Sequence, residues 1–514
     1  MSEASMKLEQ LLAGVNPVAI SGSILKDVST VCYSADNCRA DSLFVAIPGL
    51  KHDGHEFIGD AVARGANCIV HEKDLNMPPQ ITAIKVTSSR RALGILAKNY
   101  FGNPSAGLVL IAVVGTNGKT TITYLLESIL HAAGFKCGVL GTVNYRFNEK
   151  TFPAPNTTPE SYELQKILRR MLDEGITHVI AEVSSHAIDL KRIDDCDFDL
   201  GIFTNLTRDH LDYHGTMENY FQAKKRFFSE VLPQSRKDYQ KKMIINADDQ
   251  WGRLIMTETR LPALSYGIDG DSGVKAVAYE LTLAGIKAEI NIPSGSLSVQ
   301  SPLIGKFNLY NIMAAAGASL LLRVPPSLIK DGIEKMSYVP GRMESVKTNS
   351  GVHVFVDYAH TDDALRRVLQ NLTLLKEKRI ITVFGCGGNR DRGKRPLMGE
   401  AAVDYSDLTI VTSDNPRMED PAVIIGEIEE GIDQKKVRKL DFNRLEITNG
   451  VHSYAVIPDR KKAIEAAISM AGSRDIVLIA GKGHEDYQII GGQKIPFDDR
   501  IIAGQALKMR GFDG

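Results

Sequence analysis

The stretch VVGTNGKTTITYLL, Val113 to Leu126, joins the end of an apolar strand to a glycine-containing turn and the start of a helix. Such a turn exposes several backbone N–H groups toward one point, and the helix dipole adds positive potential there. A lysine supplies a mobile charge for β- and γ-phosphates, and a neighbouring hydroxyl can ligate Mg²⁺. The residues that fit these roles are Gly115, Gly118, Lys119 and Thr120. The strict GxxxxGK(S/T) pattern fails because Val113 replaces its first glycine, so a plain strand–helix turn is the alternative.

Three further side chains could take part in phosphate or metal chemistry, although each has a simpler interpretation. Glu182 ends the strand HVIAEV, at the carboxyl edge where ligands bind in open α/β sheets, but an ordinary strand-end carboxylate fits equally well. His210 lies in the loop RDHLDYHG, where a surface histidine is the usual interpretation. Lys224, in FQAKKRFF, has the local sequence of a solvated helix lysine. The residues alone therefore favour the simpler interpretations.

The surrounding segments alternate between strands and helices, and this alternation sets the fold class. From Leu108 onward the strand-like segments are LVLIAVVG, THVIAEVSS, FDLGIFTN and KMIINAD, and later VHVFVDYAH, RIITVFGCGG, LTIVTSDNP, YAVIPD and DIVLIAGKGH. They predict an α/β protein with mostly parallel sheets and helices on both faces. Breaks at FGNPSAG and YVPGRMES predict three domains, over 1–106, 107–339 and 340–514.

Composition narrows the classes of partner. With 61 Lys and Arg against 62 Asp and Glu, the 514-residue chain gives no reason to expect nucleic acid or an anionic membrane as a partner. The six cysteines are widely spaced without a CxxC pair, which favours reduced and mostly buried thiols over zinc or a disulfide scaffold. The start MSEASMKLEQLL has no apolar core of a secretory signal, so a cytoplasmic protein is expected. A monomer is expected as well.

An ordered series of motifs resembles the Mur ligases, the ATP-dependent amide-forming enzymes of peptidoglycan precursor synthesis. The series includes GTNGKTT, NTTPES, EVSSHAIDLKRI, TNLTRDHLDYHG, YFQAKKRFF, GKFNLYNIMAA, PGRMESV, VDYAHTDDAL, GCGGNRDRGKRPLMG, SDNPR and AGKGHEDYQ. The resemblance implies a UDP-binding N-terminal domain, a central P-loop ATPase domain and a C-terminal Rossmann-like domain for the incoming amino acid. It implies addition of meso-2,6-diaminopimelate to the D-Glu carboxylate of UDP-N-acetylmuramoyl-L-Ala-D-Glu, with ATP and Mg²⁺, through an acyl phosphate. The lysine-adding form of the same ligase is the nearest alternative.

The resemblance also assigns roles to individual residues in the central domain. It implies that Lys224 is carbamylated and binds a second Mg²⁺ with Glu182 and His210, while Thr120 holds the first. The implied ATP contacts are Gly115, Thr116, Asn117, Gly118, Lys119, Thr120, Thr121, Asn308, Arg342 and Asp357. The implied contacts with the UDP-sugar peptide are Tyr33, Ala35, Asn156, Thr157, Thr158, Ser184, Leu190 and Arg192. Two departures weaken the last set: Leu190 stands where relatives often have glutamine, and Ser34-Ala35-Asp36 replaces their DSR. Further uridine contacts are guessed around Leu50 to His52.

In the C-terminal domain the resemblance implies a site for the diamino acid. Its expected members are Arg390, Asp414, Asn415, Pro416, Arg417, Gly481 and Glu485. GCGGNR is not a dinucleotide fingerprint, because Arg390 occupies the third glycine position, so NAD is not expected. Arg417 could grip the distal carboxylate that lysine lacks, although DNPR could also be a solvent-facing turn. A regulatory P-loop ATPase and a folylpolyglutamate synthase are the remaining alternatives.

Overall fold

The computed structural model describes residues 5–49, 52–237, 241–441 and 451–511, and each of three successive parts of the chain contains its own sheet. The guessed uridine contacts Leu50 and Lys51 lie outside the described residues. The α/β class and the mostly parallel sheets predicted from the alternating segments are confirmed. The domain boundaries at 106 and 339 stay predictions.

The N-terminal unit is a five-stranded sheet with helices beside it. Its spatial order is Ala19–Ser21, Thr82–Lys85, Ala66–His71, Ser42–Val45 and Thr30–Cys32, and the first strand alone runs antiparallel. A short antiparallel pair joins Met6–Lys7 to Asp27–Val28. The helices are Leu8–Leu11, Ile58–Ala63 and Ser89–Tyr100, with 3₁₀ turns at Ala35–Asn37, Gly54–Phe57 and Pro104–Gly107.

The central unit is built on an eleven-stranded sheet. The order is Lys150–Phe152, Tyr145–Phe147, Cys137–Leu140, His178–Val183, Val109–Val114, Leu200–Phe203, Lys242–Asn246, Ala263–Gly267, Val274–Thr282, Gly285–Ile292 and Gly295–Ser301. Two strands at each end are antiparallel, and those between are parallel. The strand Val109–Val114 is buried along almost its whole length, as expected for a central parallel strand. It precedes the glycine-containing turn of residues 115–118, which is called the phosphate turn below.

Helices cover both faces of this central sheet. Lys119–Ala132, Lys306–Leu321 and Pro326–Lys335 pack together on one core, which contains Ile122, Leu126 and Ile312. A second core includes Leu168 and Phe228 from the opposite helices. The remaining helices are Ser161–Asp173, Ser185–Asp189, Leu211–His214, Met217–Arg226 and Gln250–Glu258, and Met217–Arg226 continues as a π-helical turn through Phe227–Val231.

The C-terminal unit has a seven-stranded sheet with one antiparallel edge. Its order is Glu344–Val346, His353–Asp357, Ile476–Ala480, Ile380–Phe384, Leu408–Val411, Ser453–Val456 and Arg438–Lys439. The helices are Asp362–Leu375, Lys394–Tyr405, Pro421–Glu429, Arg460–Met470 and Asp499–Met509, and a hairpin joins Tyr487–Ile490 to Gln493–Pro496. None of the helices in the described ranges combines the length and the hydropathy of a membrane-spanning segment.

Polar contacts connect the three units. The Tyr33 hydroxyl donates to Glu163 Oε2 at 2.7 Å, which joins the N-terminal unit to the central helix Ser161–Asp173. From the C-terminal unit, Asp363 Oδ2 accepts from Asn117 Nδ2 at 3.4 Å. The phosphate turn therefore lies where the central and C-terminal units meet.

Candidate active site

The turn between Val109–Val114 and Lys119–Ala132 requires both of its glycines. A Cβ on Gly115 would lie 1.8 Å from Thr204 Oγ1, and one on Gly118 would lie 2.4 Å from Asn311 Oδ1. Gly118 also has φ of 89°, a left-handed conformation that glycine adopts readily. A hydrogen bond also holds the turn in place, since Asn205 Oδ1 accepts from the Asn117 N–H at 3.0 Å. The turn can lie this close to the neighbouring side chains because its two glycines have no Cβ.

Two lysines donate to the same carbonyl of this turn. Lys119 Nζ lies 3.0 Å from the Gly115 oxygen, and Lys224 Nζ lies 2.8 Å from it. Lys224 is 1% exposed, so the interpretation of a solvated helix lysine is wrong. Burial and the neighbouring charge of Lys119 hold the pKa of Lys224 well below its usual range. Burial likewise lowers the pKa of Lys119. The turn therefore concentrates amine groups at one point.

Glu182 faces the same turn from the adjacent parallel strand. Its carboxylate accepts from Thr120 Oγ1 at 3.2 Å, from Thr142 Oγ1 at 2.9 Å and from the Thr142 N–H at 3.0 Å. The residue is 1% exposed, which is unusual for an ordinary strand-end carboxylate. Arg342 Nη2 donates to Thr120 Oγ1 at 3.3 Å. The Thr120 hydroxyl therefore joins the helix start, the neighbouring strand and the C-terminal unit.

His210 lies at the start of the short helix Leu211–His214, with φ of 53°. The His210 side chain is 44% exposed, as expected for a surface histidine. Partial desolvation of the ring lowers its pKa to about 4, although Asp209, 3.4 Å away, opposes this shift. Its ring is 4.9 Å from that of His186 and 6.1 Å from that of Tyr220. The Lys224 ammonium lies 4.5 Å from the same Tyr220 ring, so His210 and Lys224 share a neighbour. A neutral imidazole is the form that binds metals.

The side chains around the turn offer oxygen donors suited to Mg²⁺. Within the described ranges, no group of three or more His, Cys, Asp and Glu side chains is placed to hold a metal. Thr120 and Glu182 nevertheless offer oxygen atoms within hydrogen-bond distance of each other, beside a phosphate-type turn. Oxygen donors of this kind suit Mg²⁺, which usually keeps waters and substrate phosphates as its other ligands. The oxygen atoms of Thr120 and Glu182 therefore fit Mg²⁺.

Two further expected ATP contacts, Asn308 and Asp357, are buried. Asn308 is buried and donates to the Ile304 oxygen at 2.9 Å, as a residue stabilising a helix start would. Asp357 accepts from the N–H groups of Met343 and Ala359 at 2.7 and 2.8 Å. Asp357 therefore fixes the turn that carries Arg342, whose guanidinium lies 4.7 Å from the Tyr358 ring centre. Direct nucleotide contacts by Asn308 and Asp357 stay predictions, as do those of Thr116, Asn117 and Thr121.

Most of the expected sugar-peptide contacts lie together beside Glu182. Thr158 Oγ1 donates to the backbone carbonyl oxygen of Glu182 at 2.9 Å and accepts from the Ser184 N–H at 3.0 Å. Arg192 Nη1 donates to the Thr158 oxygen at 3.3 Å. Thr157 contacts Thr142 at 3.0 Å, the Asn156 oxygen accepts from Tyr145, and Leu190 ends the helix Ser185–Asp189 with an apolar side chain. Tyr33 reaches the same unit through Glu163, while Ala35 is buried in its own 3₁₀ turn. All of these substrate roles stay predictions.

The expected diamino-acid residues converge at the carboxyl end of the C-terminal sheet. Asn415 Nδ2 donates to Glu485 Oε2 at 2.7 Å, and a Cβ on Gly481 would lie 2.5 Å from Asp414 Oδ2. A Cβ on Gly387 would lie 2.9 Å from Arg417 Nη1 and 3.9 Å from Arg390 Cγ, so the two arginines flank this glycine. Burial and the charge of Asp414 raise the pKa of Glu485, while Lys482 opposes the shift. Two arginines and two carboxylates thus surround one small region.

Arg417 is held rather than free in solvent. It has φ of 56°, its N–H donates to the Ile489 oxygen at 2.9 Å, and its Nη1 donates to the Gly388 oxygen at 2.8 Å. A Cβ on Gly388 would lie 1.9 Å from the Pro416 oxygen, so the two loops pack backbone to backbone. This arrangement contradicts the interpretation of DNPR as a turn whose arginine merely faces water.

Comparisons with known proteins identify the family of the chain. Three family profiles match in order: "Mur ligase family, catalytic domain" over residues 27–101, "Mur ligase middle domain" over 113–319, and "Mur ligase, glutamate ligase domain" over 341–483. The chain is 45% identical, over 98% of its own length and 98% of the relative's, to the "UDP-N-acetylmuramoyl-L-alanyl-D-glutamate--2,6-diaminopimelate ligase" of Geobacter metallireducens. The chain belongs to the Mur ligase family.

Solved structures place this Mur ligase among similar folds. One titled "Structure of UDP-N-acetylmuramoyl-L-alanyl-D-glutamate--2, 6-diaminopimelate ligase" has a TM-score of 0.69 and 31% identity, and covers 99% of this chain and 100% of its own. The MurF ligase from Thermotoga maritima in complex with ADP has a TM-score of 0.59 over 88% of this chain and 94% of its own, at 18% identity. The second likeness concerns the fold alone.

Several residues of this Mur ligase site were not foreseen from its sequence. Thr142 gives Glu182 two hydrogen bonds, and its position just after the strand Cys137–Leu140 was the available signal. Lys482 is fully buried and lies 3.2 Å from Glu485 Oε2 and 3.4 Å from Asn415 Oδ1. It stands in the recognised motif AGKGHEDYQ, but a lysine beside two glycines gives no local sign of burial.

Proposed function

We propose that this Mur ligase joins meso-2,6-diaminopimelate to the D-Glu carboxylate of UDP-N-acetylmuramoyl-L-Ala-D-Glu, using ATP. The observation that carries the proposal is the meeting of Lys119, Glu182 and Arg342 around the Thr120 helix start. It supports phosphoryl transfer at the junction of two units. The full-length likeness to a relative printed as the 2,6-diaminopimelate ligase supports the choice of substrates.

The proposed reaction has two steps, because a carboxylate is a poor acylating group. One D-Glu carboxylate oxygen attacks the γ-phosphorus of ATP, the bond to the β–γ bridging oxygen breaks, and ADP leaves. The amine of the diamino acid then attacks the acyl carbon, inorganic phosphate leaves, and the amine loses a proton. Catalysis of this kind needs positioning and neutralisation of charge more than covalent participation. Lys119 and the N–H groups of its turn supply that neutralisation.

The paired lysines support a chemical role for Lys224. Both amines donate to the single Gly115 carbonyl, and burial together with the charge of Lys119 lowers the pKa of Lys224, which favours its neutral amine form. A neutral amine can take up CO₂ and release a proton to give a carbamate, which replaces a cation with oxygen donors. We propose that this carbamate, with Glu182 and His210, holds the second Mg²⁺, and Thr120 the first. Bound Mg²⁺ would supply further neutralisation of the phosphate charge.

The C-terminal cluster supports recognition of a zwitterionic diamine. Arg417 would bind the distal carboxylate of meso-2,6-diaminopimelate, and Arg390 the carboxylate near the reacting amine. Asp414 and Glu485 would face the distal ammonium, with Asn415 as a neutral donor. We further propose that the enzyme acts as a cytoplasmic monomer in cell-wall biogenesis, and hence in cell shape and division.

The test is a ligation assay with purified enzyme, ATP, Mg²⁺ and UDP-N-acetylmuramoyl-L-Ala-D-Glu, run with meso-2,6-diaminopimelate, L-lysine and L-ornithine in parallel. Product mass and phosphate release are both followed. The proposal expects phosphate release that requires both the carboxylate and the amine, with meso-2,6-diaminopimelate strongly preferred. Preference for L-lysine would establish the lysine-adding form instead. Phosphate release independent of the uridine substrate would contradict ligase function.

A further inference from the structure

Two cysteines close a loop of the N-terminal unit. Cys32 ends the strand Thr30–Cys32, and Cys38 follows the 3₁₀ turn Ala35–Asn37. Their Sγ atoms are 2.8 Å apart, and both thiols are free. Cys32 is buried and Cys38 is partly exposed. Among the described residues, no other pair of cysteines makes a thiol–thiol contact, and the other four are buried. The thiols are reduced and mostly buried as expected, but this pair is not widely spaced.

The two thiols have different chemical surroundings. The hydrogen bond from Cys32 lowers the pKa of Cys38, and the positive charge of Arg64 acts in the same direction. Arg64 is attached to the loop itself, because its Nη2 donates to Asp36 Oδ1 at 2.9 Å. The hydrogen bond and burial raise the pKa of Cys32. Accessible thiolates are the form that oxidants attack, and a nearby second thiol resolves the product.

We propose that Cys32 and Cys38 form a reversible disulfide that weakens binding of the uridine substrate. The Cys38 thiolate attacks one oxygen of a peroxide, which is reduced as its O–O bond breaks, leaving a sulfenic acid on Cys38. The Cys32 sulfur then attacks the Cys38 sulfur, the S–S bond forms, and water leaves with the Cys32 proton. In total, two thiols and one hydrogen peroxide give one disulfide and two waters. A dithiol reductant reverses the step by exchange.

The loop can accept this bond with a small movement. A disulfide brings sulfur atoms to about 2.05 Å, so the two Sγ atoms must approach by less than about 1 Å. The bond removes both thiol hydrogens, and with them the contacts of Cys38 Sγ with the Ser34 oxygen at 3.7 Å and of Cys32 Sγ with the Leu43 oxygen at 3.6 Å. The segment between the cysteines is thereby closed by a covalent bond, and the Ser34 carbonyl loses its contact with Cys38 Sγ.

The loop carries the two N-terminal residues assigned to the uridine substrate. Tyr33 and Ala35 lie between the cysteines, and the Tyr33 hydroxyl also reaches Glu163 of the central unit. Displacement of this segment changes the substrate site without reaching Lys119 or Glu182. The expected effect is a higher KM for the uridine substrate with a much smaller change in kcat. This consequence rests on the proposed function, whereas disulfide formation does not.

The first experiment measures the bond without using activity. Trypsin cleaves after Lys26 and Arg39, so one peptide, DVSTVCYSADNCR, contains both cysteines and no others. Full-length enzyme is treated with hydrogen peroxide and its remaining thiols are alkylated. The protein is then digested with trypsin, and the mass of the peptide is measured. The proposal expects a peptide without alkyl groups that is about 2 Da lighter than the dithiol form, and recovery of two alkyl groups after dithiothreitol. Full alkylation after peroxide, or irreversible oxygen addition, would overturn it.

The second experiment measures the consequence. KM and kcat for the uridine substrate are compared in reduced and oxidised wild type, in Cys38→Ser, and in Cys68→Ser as a matched change of another cysteine in the same unit. Oxidation should raise KM at least threefold in wild type and Cys68→Ser and leave Cys38→Ser unchanged. An unaltered KM despite a complete disulfide would refute the regulatory part. A reduced enzyme without ligase activity would instead refute the proposed function.

Discussion

Replacement of Arg417 by alanine should remove most of the preference for meso-2,6-diaminopimelate over L-lysine. The guanidinium is half-buried and oriented by one bond from Nη1 to the Gly388 oxygen, and within the described residues it makes no other side-chain hydrogen bond. Nε and Nη2 are therefore available to a carboxylate. Lysine as substrate offers no such group and would leave them unpaired, which is the kind of mismatch that discriminates most strongly between substrates.

The size of the effect follows from these contacts. Hydrogen bonds to charged groups contribute about 1.5–3 kcal/mol each, and the partial exposure of Arg417 places a pair of them near the lower end of that range. A total of about 3 kcal/mol corresponds to a loss of about 10²-fold in kcat/KM for meso-2,6-diaminopimelate. The value for L-lysine should change little, because Arg417 makes no bond with it.

The assay is kcat/KM for both amines in wild type, Arg417→Ala and Arg417→Lys. A matched control is Arg474→Ala, since Arg474 is another arginine of the C-terminal unit with positive φ, at 70°, and its guanidinium is exposed in an ion pair with Glu377. The control should behave as wild type, and Arg417→Lys should recover little, because an ammonium lacks the planar fork. Equal losses for the two amines in Arg417→Ala would refute the assignment.

Three further changes test the central unit. Lys119→Ala should lower kcat by about 10³-fold or more with folding intact by circular dichroism, because its charge faces developing phosphate charge in a site with little water; near-normal turnover would exclude phosphoryl transfer at this turn. Lys224→Ala should be folded and nearly inactive, and bicarbonate with a short carboxylic acid should partly restore it; mass spectrometry that finds only free amine in active wild type would contradict the carbamate. Burial lowers the pKa of His178 to about 4. As pH falls below about 6.5, the unfolded chain therefore takes up this proton before the folded one does, and the free energy of unfolding falls by about 2 kcal/mol between pH 7 and pH 5. His178→Gln should show a smaller drop in Tm over that range, and an unchanged drop would refute this account.

The phosphate turn was predictable because its information is local. An apolar strand, two glycines at fixed spacing and a following helix are all written in consecutive residues, and the structure places Gly115 and Gly118 where a Cβ would collide. The surroundings of Glu182 were not predictable. Thr142 reaches its carboxylate from just beyond a neighbouring strand, and Arg342 of another unit donates to Thr120, which is itself bonded to Glu182. Contacts of that kind depend on strand order, which consecutive residues do not record.

Two features of the sequence around Lys224 pointed in opposite directions: the spacing of its apolar neighbours and the charge of its adjacent residues. Its neighbours Lys225 and Arg226 suggest a solvated face, yet Tyr220, Phe221, Phe227 and Phe228 are buried. These positions are spaced i, i+1, i+7 and i+8, and Lys224 stands at i+4, in the middle of the apolar stripe. The helical period therefore indicated burial, whereas the composition of the segment indicated exposure. Period is the better guide here because it reports which face of the helix meets the sheet.

The outer strands of the central sheet were also absent from the predicted pattern. Val274–Thr282, Gly285–Ile292 and Gly295–Ser301 form antiparallel hairpins, and the middle strand alternates between buried and exposed residues along most of its length. Glycines at 285 and 295 begin the strands after two tight turns, with φ of 137° and 135°. This period of two was present in the sequence, but the preceding βα alternation gave no reason to expect hairpins to extend the same sheet.

The sharing of the Gly115 carbonyl by Lys119 and Lys224 bears on the sequence in which substrates bind. The turn holds amine nitrogens 3.0 and 2.8 Å from one acceptor, with Arg342 nearby on Thr120. The negative charge of ATP would compensate the positive charge of Lys119 and Arg342 at this point. We therefore expect the nucleotide to bind before the acyl phosphate can form, and the amine to be needed only after that step.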